Sequence, residues 1–156
     1  MTVATDKPSV GAALPGRRRR SGLTGYAWSS LIYVAPALLF FGCDGPDVDY
    51  LYRDELEAWA AQGVVDVRPA FSAAPVDGVK YVQDRLWADR ADVADLTRDA
   101  GATFYVCGDG QHMAPAVWDT CVRIYREGSG VDEEAAEAWL TGMQREHSRY
   151  VADVFA

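Results

Sequence analysis

From residue 37 onward, short apolar runs alternate with longer amphipathic stretches, and this alternation strongly limits the folds open to the chain. Runs rich in β-branched and aromatic residues predict strands at residues 37–42, 64–71, 103–107 and 150–155. Apolar residues at helical spacing predict helices at residues 50–62, 79–87, 93–99 and 113–127, and Asp132 is predicted to cap a fifth. Strand–helix–strand units connect through right-handed crossovers, so the sequence predicts an α/β fold in which helices cover both faces of a parallel sheet.

The first 36 residues do not follow this alternation. Residues 1–25 are rich in Pro, Gly, Ser, Thr and Arg, which predicts a disordered tail with a solvated basic block at residues 17–20. The 18 uncharged residues from 26 to 43 reach the lower length of a membrane helix, and basic residues before such a run are typical of a cytoplasmic flank. Residues 1–40 also resemble the start of the first membrane helix of a sugar-importer permease. Because Pro36 and the tract 38–42 favour a buried strand, we expect residues 1–36 to be foreign or unstructured, with a membrane anchor as the alternative.

Charge and cysteine content argue against several classes of function. Of the 15 basic residues five lie in residues 1–25, together with one acid, so the rest of the chain carries 10 basic against 22 acidic groups. Such a surface repels nucleic acid. The widely spaced cysteines fit neither a disulfide framework nor a zinc site, so we expect no bound metal, a reducing cytoplasm, and buried thiols at Cys43 and Cys121. His112 and His147 are isolated and are expected at the surface.

Three loops follow predicted strand ends, at residues 42–46, 71–75 and 107–110. Ligands of parallel α/β sheets bind beyond the carboxyl ends of the strands, so these loops are predicted to meet at one edge where a nucleotide lies. In the third loop, Gly108 lets the backbone approach a ligand beside Asp109, and the helix beginning near Met113 adds a partial positive charge. A plain turn is the alternative, since the chain contains neither a GxGxxG fingerprint nor a P-loop.

Four segments in order carry a resemblance to a known family: FFGCDGPDVDYLYRDEL, AFSAAPVDGVKYVQDRL, FYVCGDGQHMAPAV and RYVADVF. They resemble the C-terminal NADP(H)-binding part of the diflavin reductases, above all that of bacterial self-sufficient haem monooxygenase fusions. The resemblance implies a Rossmann-like, ferredoxin reductase-like domain over residues 37–156, which passes a hydride from NADPH to FAD for onward electron transfer to a haem protein. FAD would be held by a separate flavin-binding domain, FMN would belong only to the parent protein, and the fragment alone is expected to be inactive.

For the adenosine end of the nucleotide, the resemblance assigns five residues. Ser72 and Gln83 would contact the 2′-phosphate of NADPH, Tyr81 would cover the adenine, and Met113 would line the adenosine site. Lys80 is a further phosphate candidate, but it lies one place nearer Tyr81 than in the family. From the residues alone, Tyr81 is equally a core residue of the following helix.

At the nicotinamide end, the resemblance implies that Cys107 lies beside the ring during hydride transfer, with Asp153 in the same polar network. Phe155 stands where the family has a terminal aromatic residue that stacks on the flavin until nicotinamide displaces it. Hydride transfer needs two flat rings in contact and a group that yields its place. From the residues alone, Cys107 is more often a small buried hydrophobe than a catalytic thiol. Four tryptophans are expected on the core faces of helices: Trp59, Trp87, Trp118 and Trp139.

The chain departs from the family at the phosphate end. Ala73 follows Ser72 where the family usually has Arg, and Asp44 follows Cys43 where Arg is also common. A guanidinium is the natural bidentate partner of a phosphate. One arginine is thus lost, and the charge at the other position is reversed. We therefore expect that any preference for NADPH over NADH is small.

The family's first strand and its GPGTG-APF loop have no match in residues 1–36, and the flavin-binding parts have none either. A parallel sheet without a central strand exposes an unpaired edge, so the sheet is expected to be incomplete at its N-terminal edge. A truncated remnant without catalysis and a membrane-anchored fusion fragment are the alternatives to a hydride-transferring module.

Overall fold

The computed structural model describes residues 37–98 and 101–155, and the predictions for residues 1–36 lie outside them. In chain order the elements of these residues are β1 (Ala37–Cys43), α1 (Arg53–Ala61), β2 (Val65–Phe71), α2 (Val82–Ala88), α3 (Arg90–Arg98), β3 (Phe104–Asp109), α4 (Met113–Ser129), α5 (Glu133–Arg145) and β4 (Tyr150–Phe155). Among the described helices, none has the length and apolar content that crossing a membrane requires.

The strands pair in two parallel ladders. β1 runs beside β2 in a register that aligns Ala37 with Val65, and β3 runs beside β4 with Phe104 aligned to Tyr150. The α/β class, with parallel strands flanked by helices, is confirmed. The single sheet expected from the sequence is instead two separate pairs, because within residues 37–98 and 101–155 no strand joins one ladder to the other. Each strand of this described part therefore keeps one edge without a ladder partner.

One hydrophobic core connects the two ladders. Its buried members are Leu86, Val93, Val106, Val117, Cys121, Val122, Ile124, Ala136, Leu140, Met143 and Tyr150. They come from α2 to α5 and from β3 and β4, and Phe40 of β1 packs against them. The two strand pairs thus share a core although they share no hydrogen-bonded ladder.

Helix α5 illustrates how local sequence and packing agree. Asp132 caps the helix as predicted, because its carboxylate accepts a hydrogen bond from the Ala135 N–H at 2.8 Å. Ala136, Leu140 and Met143 recur at helical spacing and are all buried. This apolar stripe packs the helix against α4 and β4.

Helix α1 begins at Arg53, later than the sequence predicts. The apolar residues before it pack elsewhere: the Tyr50 ring stacks on Phe41 with centroids 5.1 Å apart and meets Phe71 edge-on at 5.8 Å. These aromatic contacts hold the segment before α1 over the β1–β2 ladder. Packing on the sheet therefore outweighs the local helical pattern at residues 50–52.

The tryptophans divide between core and surface. Trp87, Trp118 and Trp139 pack against the core, as predicted. Trp59 is 49% exposed, so its assignment to the core was wrong. Leu56 is the buried residue of α1, and Trp59 three positions later stays exposed.

An arginine on β2 ties that strand to the corner between α2 and α3. The Arg68 guanidinium contacts the carboxylates of Asp66 at 2.8 Å, Asp89 at 3.1 Å and Asp92 at 2.8 Å. Burial alone would lower the pKa of this guanidinium, but its hydrogen bonds to the three carboxylates raise the pKa above its ordinary value. The Arg68 side chain is only 11% exposed, so its charge is balanced by the protein rather than by water.

Candidate functional site

The ends of β1 and β2 place two of the predicted loops side by side. Their ladder continues beyond the strands, because the Ser72 N–H donates to the Cys43 carbonyl and the Ala73 N–H to the Asp44 carbonyl, each at 2.9 Å. The Ser72 hydroxyl is within hydrogen-bond distance of the Asp44 carboxylate, at 2.5 Å. Strand register thus joins a predicted phosphate-binding residue to an acid 28 positions away in the chain.

Asp49 closes the turn that follows β1. Its carboxylate accepts hydrogen bonds from the N–H of Asp44 at 2.9 Å and of Gly45 at 3.0 Å. These two bonds hold the pKa of Asp49 below its ordinary value. Cys43, beside the turn, was predicted to be buried but is half-buried. Its partial burial has the largest effect on the thiol and raises its pKa, and the nearby Asp49 charge raises the pKa further. Asp49 was not among the residues predicted from the sequence. The one feature that could have indicated this turn is that an acidic residue follows Gly45 by four positions.

The start of α2 carries Lys80, Tyr81 and Gln83. Tyr81 directly precedes the helix and is 46% exposed, so the alternative of core packing was wrong. The Lys80 ammonium lies over the Tyr81 ring, 4.9 Å from its centre. Asp84 fixes this start by accepting hydrogen bonds from the N–H of Lys80 at 3.1 Å and of Tyr81 at 2.9 Å. Gln83 is half-buried on the first turn and borders an open groove.

The β3–β4 ladder brings the three predicted nicotinamide-end residues onto one face. Its register aligns Cys107 with Asp153, and Phe155 lies two positions after Asp153 on the same side. All three are exposed, Phe155 at 66%, so a buried role for Cys107 was wrong. Tyr105, which the sequence analysis did not select, lies on the same face and is 79% exposed. The opposite face of the ladder supplies the core.

Gly108 and Asp109 turn the chain from β3 into α4. The Asp109 carboxylate accepts hydrogen bonds from the N–H groups of Gln111 at 2.8 Å, His112 at 3.1 Å and Met113 at 3.3 Å. These bonds hold the pKa of Asp109 below its ordinary value, and the bond from Gln111 has the largest effect. Gly108 has a φ of 139°, and a Cβ at this position would lie 3.2 Å from the Met113 sulfur. The loop is therefore a capped turn on which Met113 packs, and its contact with a ligand stays a prediction.

The predicted site residues form two groups. The adenosine group is Ser72, Lys80, Tyr81 and Gln83 with the neighbouring Asp44; the nicotinamide group is Cys107, Gly108, Asp109, Asp153 and Phe155. Met113, which the resemblance assigns to the adenosine end, packs on Gly108 of the second group. Helix α2, which begins at the first group, packs against α4, which begins just after Gly108 and Asp109 of the second. Within the described part of the chain, no three His, Cys, Asp or Glu side chains are placed to hold a metal ion.

Asp49 and Asp109 are expected to make folding sensitive to acid. Their pKa values in the fold lie below the unfolded value of about 3.9, so their contribution is present above that pH and is lost as the pH falls through the folded pKa. In urea unfolding between about pH 6 and about pH 3, the Asp49→Asn/Asp109→Asn variant should lose less stability on acidification than the wild type. Asp119→Asn, an exposed change on α4, should keep the wild-type slope. Equal slopes in the double variant and the wild type would contradict this expectation.

Comparison with known proteins identifies relatives of the chain. The model of the oxidoreductase NAD-binding domain family matches residues 33–119. A bifunctional cytochrome P450/NADPH–P450 reductase of Fusarium oxysporum is 46% identical over 129 residues, and the match covers 78% of this chain and 12% of the relative. A self-sufficient cytochrome P450 monooxygenase of Phanerodontia chrysosporium is 44% identical over 126 residues, covering 78% and 11%. A bifunctional cytochrome P450/NADPH–P450 reductase of Bacillus cereus is 43% identical over 123 residues, covering 79% and 11%, so the chain spans only a small fraction of these relatives.

Proposed function

The chain belongs to the oxidoreductase NAD-binding domain family and matches the C-terminal NADP-binding part of diflavin reductases, and on this premise we propose that it binds NAD(P)H and passes a hydride to FAD. FAD is held by a separate flavin-binding domain, and a haem monooxygenase receives the electrons. The observation that carries the proposal is the shared exposed face of Cys107, Asp153 and Phe155 on the β3–β4 ladder.

This face has the chemistry that a pair of stacked rings needs. Phe155 offers an exposed flat ring at the end of β4, which can cover the flavin and then give way to nicotinamide. Bound dihydronicotinamide supplies the hydride, that is, two electrons and one proton, which reduces FAD. Bound nicotinamide would place its ring edge beside the Cys107 thiol, and the Asp153 carboxylate, aligned with Cys107 in the ladder, would accept a hydrogen bond from the ligand amide.

The adenosine group supports the other end of the nucleotide. The exposed Tyr81 ring offers a stacking surface for adenine, and its position is fixed by the capped start of α2. Lys80 places a positive charge beside that ring. Asp44 and Ser72 follow strand ends, and Lys80 and Tyr81 directly precede a helix, which is where α/β folds bind nucleotides.

Reduction of FAD in trans tests the proposal. The purified chain is mixed with an FAD-loaded flavin-binding domain of a curated relative, and loss of oxidised FAD absorbance is followed after addition of NADH or NADPH. Cys107→Ala should slow this step by about tenfold while nucleotide affinity, measured by calorimetry, stays unchanged, because the thiol acts at the reacting ring. An unchanged rate in Cys107→Ala, or no reduction by the wild type, would contradict the proposal.

A remnant that binds nucleotide without transferring hydride is the second candidate. Within residues 37–98 and 101–155 the two ladders are separate, which favours this candidate, since an interrupted parallel sheet leaves strand edges unpaired. Nucleotide binding by the wild type without FAD reduction would select this candidate over the first.

We further propose a cytoplasmic location. Cys43, Cys107 and Cys121 are all free thiols, and Cys107 is exposed. An exposed thiol persists most easily in a reducing compartment.

A further inference from the structure

The Ser72 hydroxyl, which the family resemblance assigns to a phosphate, is already committed within the protein. At 2.5 Å from the Asp44 carboxylate, its single proton serves as the donor of that hydrogen bond. A phosphate, which at this position only accepts hydrogen bonds, would have to break the bond to Asp44 before Ser72 could bind it. It would then lie directly beside the carboxylate.

The backbone donors of the same loop are also occupied. The N–H groups of Asp44 and Gly45 both point to the Asp49 carboxylate at 2.9–3.0 Å. Backbone N–H groups of a turn are common anion ligands, but here a carboxylate of the protein takes that place. The carboxylates of Asp44 and Asp49 therefore already accept the hydrogen bonds that this loop could donate to a phosphate.

Among the residues that the structure describes, the basic side chains near this loop do not offset these acids. Arg53 approaches the loop through its contact with the Pro46 carbonyl, but it is paired with Asp47 at 3.2 Å and Glu57 at 2.9 Å. Lys80 lies over the Tyr81 ring. The charge at the end of β1 is therefore unfavourable for a dianion.

We propose that the adenosine group recognises an unphosphorylated ribose, so that the chain prefers NADH to NADPH. The Asp44 carboxylate accepts a hydrogen bond from the ribose 2′-hydroxyl, and Ser72 holds the carboxylate in position. A hydroxyl is a donor and suits this acceptor, whereas a 2′-phosphate would be repelled by the Asp44 carboxylate. The inference rests on the proposed binding of a nicotinamide nucleotide and specifies which one.

Calorimetric titration of the full chain with NADH and with NADPH tests the preference. The wild type should bind NADH about tenfold more tightly than NADPH, and the ratio should grow as salt is lowered, because the discrimination is electrostatic. Asp44→Asn should bring the two affinities close to each other, and Asp44→Arg should favour NADPH by about tenfold or more. Asp54→Asn, an exposed change in the first turn of α1, should leave the ratio at its wild-type value.

Ser72→Ala separates the two roles of the serine. If Ser72 positions Asp44, the variant loses NADH affinity about threefold and does not lose NADPH affinity. A variant that loses NADPH affinity alone would overturn the proposal, as would a wild type that binds NADPH as tightly as NADH or an Asp44→Asn variant with an unchanged ratio. In those cases the binding of a nicotinamide nucleotide stands. If neither nucleotide binds, both proposals fail.

Discussion

Replacement of Leu140 with alanine is expected to lower the free energy of unfolding by about 3–5 kcal/mol. Leu140 is fully buried at the centre of the α5 stripe, within the core that joins both strand pairs. The change removes apolar contacts and leaves a cavity between α4 and α5, and both effects destabilise the fold. Because domains of this size are stable by only about 5–15 kcal/mol, the urea midpoint followed by tryptophan fluorescence should fall sharply.

Leu51→Ala is the matched control for this change. Leu51 is 62% exposed, so the same truncation there should alter the free energy of unfolding by less than about 0.5 kcal/mol. If the two variants unfold at the same urea concentration, α5 does not close the core as described.

Replacement of Arg68 with methionine is expected to cost about 3 kcal/mol or more. Methionine keeps much of the volume but removes the cation that contacts Asp66, Asp89 and Asp92. The carboxylates would then face one another, and Asp89 is only 17% exposed, so water compensates it poorly. Urea unfolding of the variant and of the wild type at neutral pH measures this cost.

Arg53→Met provides the comparison on the surface. Arg53 also pairs with two carboxylates, but its side chain is 46% exposed and water screens its ion pairs, so its removal should cost clearly less than that of Arg68. If Arg68→Met lowers the free energy of unfolding no more than Arg53→Met does, the ion pairs of Arg68 with Asp89 and Asp92 do not hold the corner between α2 and α3 to β2.

Most of the fold followed from patterns local in the sequence. The strands appear within a residue or two of their predicted bounds, since apolar runs between turns leave few alternatives. Helix α1 was placed too early because Tyr50 looks like part of a helical stripe, whereas its ring is held by Phe41 and Phe71 from two strands. The separation into two ladders was also beyond local patterns, which do not specify strand neighbours.

The site was less accessible to sequence reasoning because its contacts join distant positions. The bond between Ser72 and Asp44 depends on the register of β1 and β2, and the pairing of Cys107 with Asp153 depends on that of β3 and β4. No spacing rule gives either register. The turn closed by Asp109 is local by contrast, because an Asp side chain commonly accepts hydrogen bonds from N–H groups a few positions later in the chain.

The two separate ladders bear on how the chain folds. Each pair is made within one continuous stretch, residues 37–71 for the first and 104–155 for the second, with its helices in between. Each ladder therefore closes within its own stretch, and its pairing does not require a strand from the other half. The halves are thus suited to form as successive units during synthesis, joined afterwards when α2 docks on α4.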